Sequence, residues 1–309
     1  MVECKKMLSL VSRNTKYYFK NKFMFFTSLI TPLILFVLYV NFLRNIYIGS
    51  FKNVSADFGV TIEGRVLNGI TGAWLLSSIL SVSSFTVAFC SNIIMVEDKM
   101  NSTVNDFNVS PVKTTTIAFS YFISNFLVTF IVIISIMLVG HIYLAIIGWY
   151  ISALDAFMII VDCICGILFG TLLAGIIESF ISTQGGISAV STLVSSMYGF
   201  ICGAYMPLSQ FSEGLRNVLG LWPGTYGVGI MRNHYMNGYV DAIVKNIEDS
   251  SVADGMLKGL KDSFDANLYV FGNQISVGAM FGILLGTCAV LIAVYVALVI
   301  LRSKTKRIA

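Results

Sequence analysis

Apolar and polar positions alternate along this chain on the scale of a bilayer. Six apolar stretches, residues 24–43, 70–96, 117–147, 154–180, 187–206 and 275–301, are each long enough to cross about 30 Å of hydrocarbon at about 1.5 Å per residue. They predict an all-α polytopic membrane protein with six transmembrane helices, because a helix satisfies its own backbone in lipid. The third stretch is overlong, which predicts a tilt or an end near His141. Residues 1–22 place Met7, Leu8, Val11, Tyr18 and Phe19 among Lys5, Lys6, Arg13, Lys16, Lys20 and Lys22. That pattern predicts an amphipathic helix lying in the headgroup layer, with a plain basic flank as the blander reading. The basic run is too long for a cleavable signal and leads into a full-length span, so the first span is expected to be retained.

The polar intervals differ in kind. Residues 97–113 are tied at both ends to apolar stretches, so they emerge on one face of the bilayer. Asn101, Ser102 or Asn105 is placed to cap a short helix there, Val104 and Phe107 recur at helical spacing, and Ser110-Pro111 ends the run. Residues 44–69 read as a short polar loop and 182–186 as a tight turn. Residues 206–236 begin with a segment too apolar for a free loop and too short to span, which predicts re-entrant half-helices in the outer leaflet. Residues 237–274 space Ile243, Ile247, Met256, Leu257, Leu260 and Phe264 like one face of broken amphipathic helices. Asp241, Glu248, Asp249, Asp254, Lys258 and Lys261 fall opposite, so the segment reads as a small external cap. With the N-terminus inside, twelve Lys and Arg fall on the inner side and eight on the outer, where most sit in long loops that weigh little. Both termini and residues 97–113 are therefore expected in the cytoplasm, and the whole of 1–309 reads as one transmembrane domain.

Composition agrees with this picture. Of 309 residues, 56% are hydrophobic and 12% charged, and the mean hydropathy is +0.82, far from the roughly 25% charged content of soluble domains. The net charge of +4 is concentrated at the chain ends, which suits anionic headgroups; no basic stripe with interleaved aromatics points to nucleic acid. The six cysteines show no metal-ligand spacing and read as small apolar residues. The chain contains no Gly-Lys pair, and hence no P-loop; His-Glu-x-x-His, Gly-x-Ser-x-Gly and a Gly-Asp pair are missing too. No catalytic set, bound metal or cofactor is expected on this chain.

Ionisable residues inside the apolar stretches are the remaining candidates, since a charge near the bilayer centre costs about 2.5–3.5 kcal/mol on insertion scales. Asp162 lies deepest. It is expected either to line a translocation route or contact a cationic substrate, or, on the blander reading, to be protonated or satisfied by hydroxyls of a neighbouring span. Glu178 is expected at the inner interface, open to a cytoplasmic partner or a basic neighbour. Ser188, Ser191 and Ser195 in the fifth stretch sit among small residues that favour close helix packing, or a second subunit or polar route. The serines at 77, 78, 81, 83 and 84 allow the same reading for the second.

Two short patterns carry a resemblance. Asp98-Lys99, Ser102-Thr103-Val104, Phe107 and Ser110-Pro111 follow, without a gap, the order acidic-basic-x-x-Gly-Thr-Leu-x-x-Leu-x-x-Ser/Thr-Pro. Gly203 and Pro207 match Gly-x-x-x-Pro, and Pro223, Tyr226 and Arg232 match a later Pro-x-x-Tyr and Arg. On these residues the chain resembles the membrane subunits of ABC type-2 exporters, with the type-V exporter fold. It departs in Ser102 for the usual Gly, Asp98-Lys99 for Glu-Arg, Asn108 at a usually apolar position, and the added cap.

The resemblance implies a bacterial plasma-membrane permease, paired with a second permease subunit as a homodimer or heterodimer, surrounded by membrane lipid and served by two cytoplasmic ATP-binding subunits that hold ATP and Mg. It implies a coupling helix at Asp98, Lys99, Ser102, Thr103, Val104, Phe107, Ser110 and Pro111, a connecting helix at 1–22, and an outer gate at Pro207, Pro223, Tyr226 and Arg232. The cargo class it implies is an amphipathic antibiotic or drug, a peptide or a lipid. A lipid-linked glycan is the rival cargo, and a non-transporting sensor or immunity protein is the rival function.

Overall fold

The apolar stretches fold as helices, and a computed structural model, which describes residues 2–39, 43–110, 112–245 and 247–305, arranges them around one central member. Helix α1 (Val2–Lys20) holds the basic N-terminal region. After a 72° bend comes α2 (Lys22–Leu38), started by Asn21, whose side chain accepts from the Met24 amide. Then follow α3 (Arg44–Asp57), α4 (Gly64–Met100), α5 (Thr103–Val109), α6 (Thr114–Ile147), α7 (Ala153–Ser179) and α8 (Gln184–Ile201). A 3-10 turn (Leu208–Gln210) leads to α9 (Glu213–Leu219), α10 (Pro223–Val244), α11 (Ser250–Ser263), the hairpin β1 (Leu268–Val270) and β2 (Asn273–Ile275), and α12 (Val277–Thr305).

Four of the described helices, α4, α6, α7 and α12, are singly long and apolar enough to cross a membrane, and α1 with α2 gives a fifth if the bent pair is one span. The chain is a multi-pass helical membrane protein. Helix α4 is its axis: 89% of its apolar stretch is buried inside the chain, against 22% for α6 and α12. It packs against α2, α6, α7, α8 and α10. At Gly170 of α7 an added Cβ would stand 2.8 Å from the Ser84 carbonyl of α4, so the missing side chain lets two backbones touch.

Several expectations change. Ser77 and Ser84 are buried within the chain, and their hydroxyls donate back to the carbonyls of Trp74 and Leu80. They are packed inside the chain, and Ser84 also borders the small cavity beside Asp162. The expected loop at 44–69 holds a helix, α3, because Tyr47 and Phe51 repeat at helical spacing and bury; Phe51 stacks on Phe264 at 3.6 Å. The expected break between half-helices and cap at residue 236 does not occur, since α10 runs unbroken from Pro223 to Val244 with most of its residues buried. In the cap, the β1–β2 hairpin replaces broken helix; Phe271 and Gly272 both hold positive φ, as a tight two-residue hairpin turn requires. Residues 97–100, expected in a loop, continue α4.

Candidate functional site

The helix inside the expected coupling segment is entered through a strained residue. Ser102 holds φ +59 and its hydroxyl makes no capping bond, so the cap expected from Asn101, Ser102 or Asn105 is not supplied by Ser102. This left-handed conformation costs a non-glycine residue roughly 1–2 kcal/mol, which explains a glycine in the resembled pattern. Thr103 and Val104 open α5. Val104 is half-buried and borders a cavity of about 180 Å³ shared with Met95, Tyr121, Tyr295 and Arg302. Ser110 donates its hydroxyl to the Phe107 carbonyl at 2.7 Å. Pro111 lies outside the described residues.

Asp98 and Lys99 turn inward. The Asp98 carboxylate is buried and accepts from Arg13 Nη1 and Nη2 at 2.5 and 2.7 Å and from the Tyr121 hydroxyl at 2.5 Å. The bond to Asp98 holds the Arg13 guanidinium above its ordinary pKa. The same guanidinium lies 5.5 Å from the centre of the Phe107 ring. One residue of α1 thus clasps α4, α5 and, through Asp98, α6. Lys99 Nζ donates to the carbonyls of Glu178, Ser179 and Ile181 at 3.0, 2.9 and 3.1 Å, pinning the end of α7. Among the described side chains of residues 98–110, Asn101, Ser102, Asp106 and Val109 are exposed, the last 88%. Arg13, Tyr121 and Val109 were not picked out by sequence; Arg13 is one of six basic residues before the first span, and only its partner distinguishes it.

The candidate path residues are not brought together. Asp162 is buried, with its Oδ2 2.6 Å from His234 Nδ1 on α10, so an imidazole and not the expected hydroxyls meets it; Oδ1 has no partner. Ser188 is exposed and Ser191 and Ser195 half-buried on α8, whereas the small cavity beside Asp162 is walled by Ser81, Ser84, Tyr198 and Met231 among others. Glu178 corrects the sequence reading. It is fully buried, so it is not open to a cytoplasmic partner; its carboxylate accepts from Asn92 Nδ2 at 2.9 Å, while the expected basic neighbour is present as Lys99, which bonds the Glu178 backbone carbonyl rather than the carboxylate.

At the opposite end of α4, Pro207 starts the 3-10 turn, Pro223 opens α10, and Tyr226 is buried one turn later. Arg232 is fully buried. It donates to the Gly203 carbonyl at 2.6 Å, Ser78 Oγ at 3.3 Å and Asp265 Oδ2 at 3.3 Å, and its guanidinium lies 4.9 Å from the Trp74 ring centre. Asp265, itself at φ +54, also accepts from the amides of Leu208 and Ser209. One ion pair thereby joins α4, α10, the loop after α8 and the chain after α11. Asp265 carried no sequence signal, being one acid among several in a polar stretch.

A family model described as ABC-2 type transporter matches residues 5–236. No curated protein and no solved structure matches the chain.

Proposed function

The chain belongs to the ABC-2 type transporter family, and from that premise we propose that it is the permease half of an ATP-driven exporter. It is a membrane transport component, and family permeases normally work with an ATP-binding subunit. In our reading α2, α4, α6, α7, α8 and α12 are six spans, α5 and both termini face the cytoplasm, and the cap lies outside. Two ATP-binding subunits, carrying ATP and Mg, would dock on α5, and two permease subunits would enclose the route for an amphipathic antibiotic, peptide or lipid.

The observation that carries this reading is the Arg13–Asp98–Tyr121 clasp beside α5. A lever transmits work only if it is fixed to what it must move. Here the exposed end of α5 stands on a joint that ties α1, α4 and α6 by charge-assisted bonds, each stronger than a neutral one. ATP-driven closure of the partner pair would push α5 and, through the clasp, the central helix. Such a push needs ATP to bind the closed state better than the open one.

Reconstitution with its ATP-binding subunit tests the proposal: amphipathic cargo should stimulate ATP hydrolysis. Hydrolysis unchanged across antibiotics, peptides, lipids and lipid-linked glycans would favour the sensor reading.

A further inference from the structure

The 3-10 turn, α9 and the chain after α11 enclose a cavity of about 320 Å³, within the roughly 300–1,000 Å³ range of small-molecule sites. It lies at the end of the molecule opposite α5. Three charged residues border it: Arg216, Asp262 and Asp265. Asp265 is already compensated by Arg232 and two backbone amides. The other two are not.

Arg216 is half-buried and its Nε is fully enclosed without a hydrogen-bond partner. Among the described residues, no carboxylate lies within ion-pair distance of it. Asp262 accepts from Asn267 Nδ2 at 2.7 Å and from the Tyr269 hydroxyl at 3.1 Å. Both donors are neutral, so they aim the carboxylate and leave its charge uncompensated. A guanidinium and a carboxylate thus face one cavity without meeting. The Nε is closed off from the cavity, so the donors open to a ligand are the two Nη groups, which also lack a hydrogen-bond partner among the described residues.

We propose that this cavity is a binding site for a small zwitterion, its anion held by Arg216 and its ammonium by Asp262. The guanidinium fork suits a carboxylate or phosphate, and the cavity suits a molecule the size of an amino acid or dipeptide. The same chemistry occurs in the free ends of a short peptide and in a phosphoethanolamine headgroup. This site does not depend on the transport reading, and either can fail alone.

Titration calorimetry on the full-length protein in detergent tests it, with glycylglycine and O-phosphoethanolamine as probes. Saturable binding of glycylglycine identifies peptide ends as the source, and binding of phosphoethanolamine alone identifies the lipid headgroup. For glycylglycine, N-acetylation and C-amidation should each weaken binding at least tenfold. Arg216→Gln should remove the preference for a free anion. Asp262→Asn, which retains an acceptor for Asn267 and Tyr269, should remove the preference for a free ammonium. Both variants should melt at the wild-type temperature; if either unfolds, the blocked probes on the wild-type chain still decide. Absence of saturable binding by both probes, equal binding of blocked and free forms, or indifference to both substitutions would overturn the proposal.

Discussion

Ser102 and Arg232 illustrate opposite economies at single residues. Ser102 bears the left-handed backbone at the head of α5 without a capping bond to offset it. Ser102→Gly should therefore stabilise the chain by about 0.5–1 kcal/mol, the relief of strain less the extra freedom of glycine when unfolded, read as a raised Tm in detergent. Arg232 is the reverse case, because its charge is enclosed and its partners are spread over three segments besides its own helix. Arg232→Gln would leave Asp265 buried beside a neutral group, at a cost of about 3–5 kcal/mol; a Tm within two degrees of wild type would refute that weight. Arg232 could be singled out from its motif. Asp265 could not, since nothing local marks an acid whose partner lies 33 residues away.

The elements α5 and α11 are both short, and each depends on something other than its own periodicity. Seven-residue α5 exposes one large apolar side chain, Val109, while Phe107 is held against Arg13. Burying a valine contributes about 1.5–3 kcal/mol, so, on the docking proposed above, Val109→Asp should reduce co-purification of an ATP-binding subunit at least tenfold without changing the Tm. Helix α11 begins at Asp249, whose side chain accepts from the amide and hydroxyl of Ser251. Those bonds hold its carboxyl below the ordinary value. A depressed pKa means the cap stabilises fully above the ordinary aspartate pKa and fails as pH falls through the lowered one. Amide protection factors over residues 250–263, corrected for the intrinsic pH dependence of exchange, should accordingly fall on acidification in the wild type and lose that pH dependence in Asp249→Asn. The short helix 103–109 was legible in its polar residues and its Pro stop; the hairpin after α11 was not, because Phe271-Gly272 is an uncommon pair for a turn with two positive φ angles.

Across the whole molecule, α4 carries connections to both ends. Its C-terminal end meets α1 through Asp98 and its N-terminal half meets the chain after α11 through Trp74, whose indole donates to the Phe264 carbonyl at 3.2 Å. Asp98→Lys should break the joint to α1. The cost should be roughly 2–3 kcal/mol, below the 3–5 of a fully buried pair because the Arg13 side chain is 34% exposed. Limited trypsin digestion should then cut α1 faster, and the double exchange Arg13→Asp with Asp98→Arg should slow it again. Unaltered cleavage in Asp98→Lys would mean that α1 is held by something else. The apolar lengths by themselves determined that this chain crosses a membrane as helices, because lipid leaves a backbone no other partner than itself. They also marked Asp162 and Glu178 as groups needing an answer. Which groups answer was decided by the tertiary structure alone: Arg13 with Asp98 across 85 positions, Asp162 with His234 across 72. Periodicity speaks for neighbours on one helix face, whereas a buried charge is satisfied by whatever another helix brings within 3 Å.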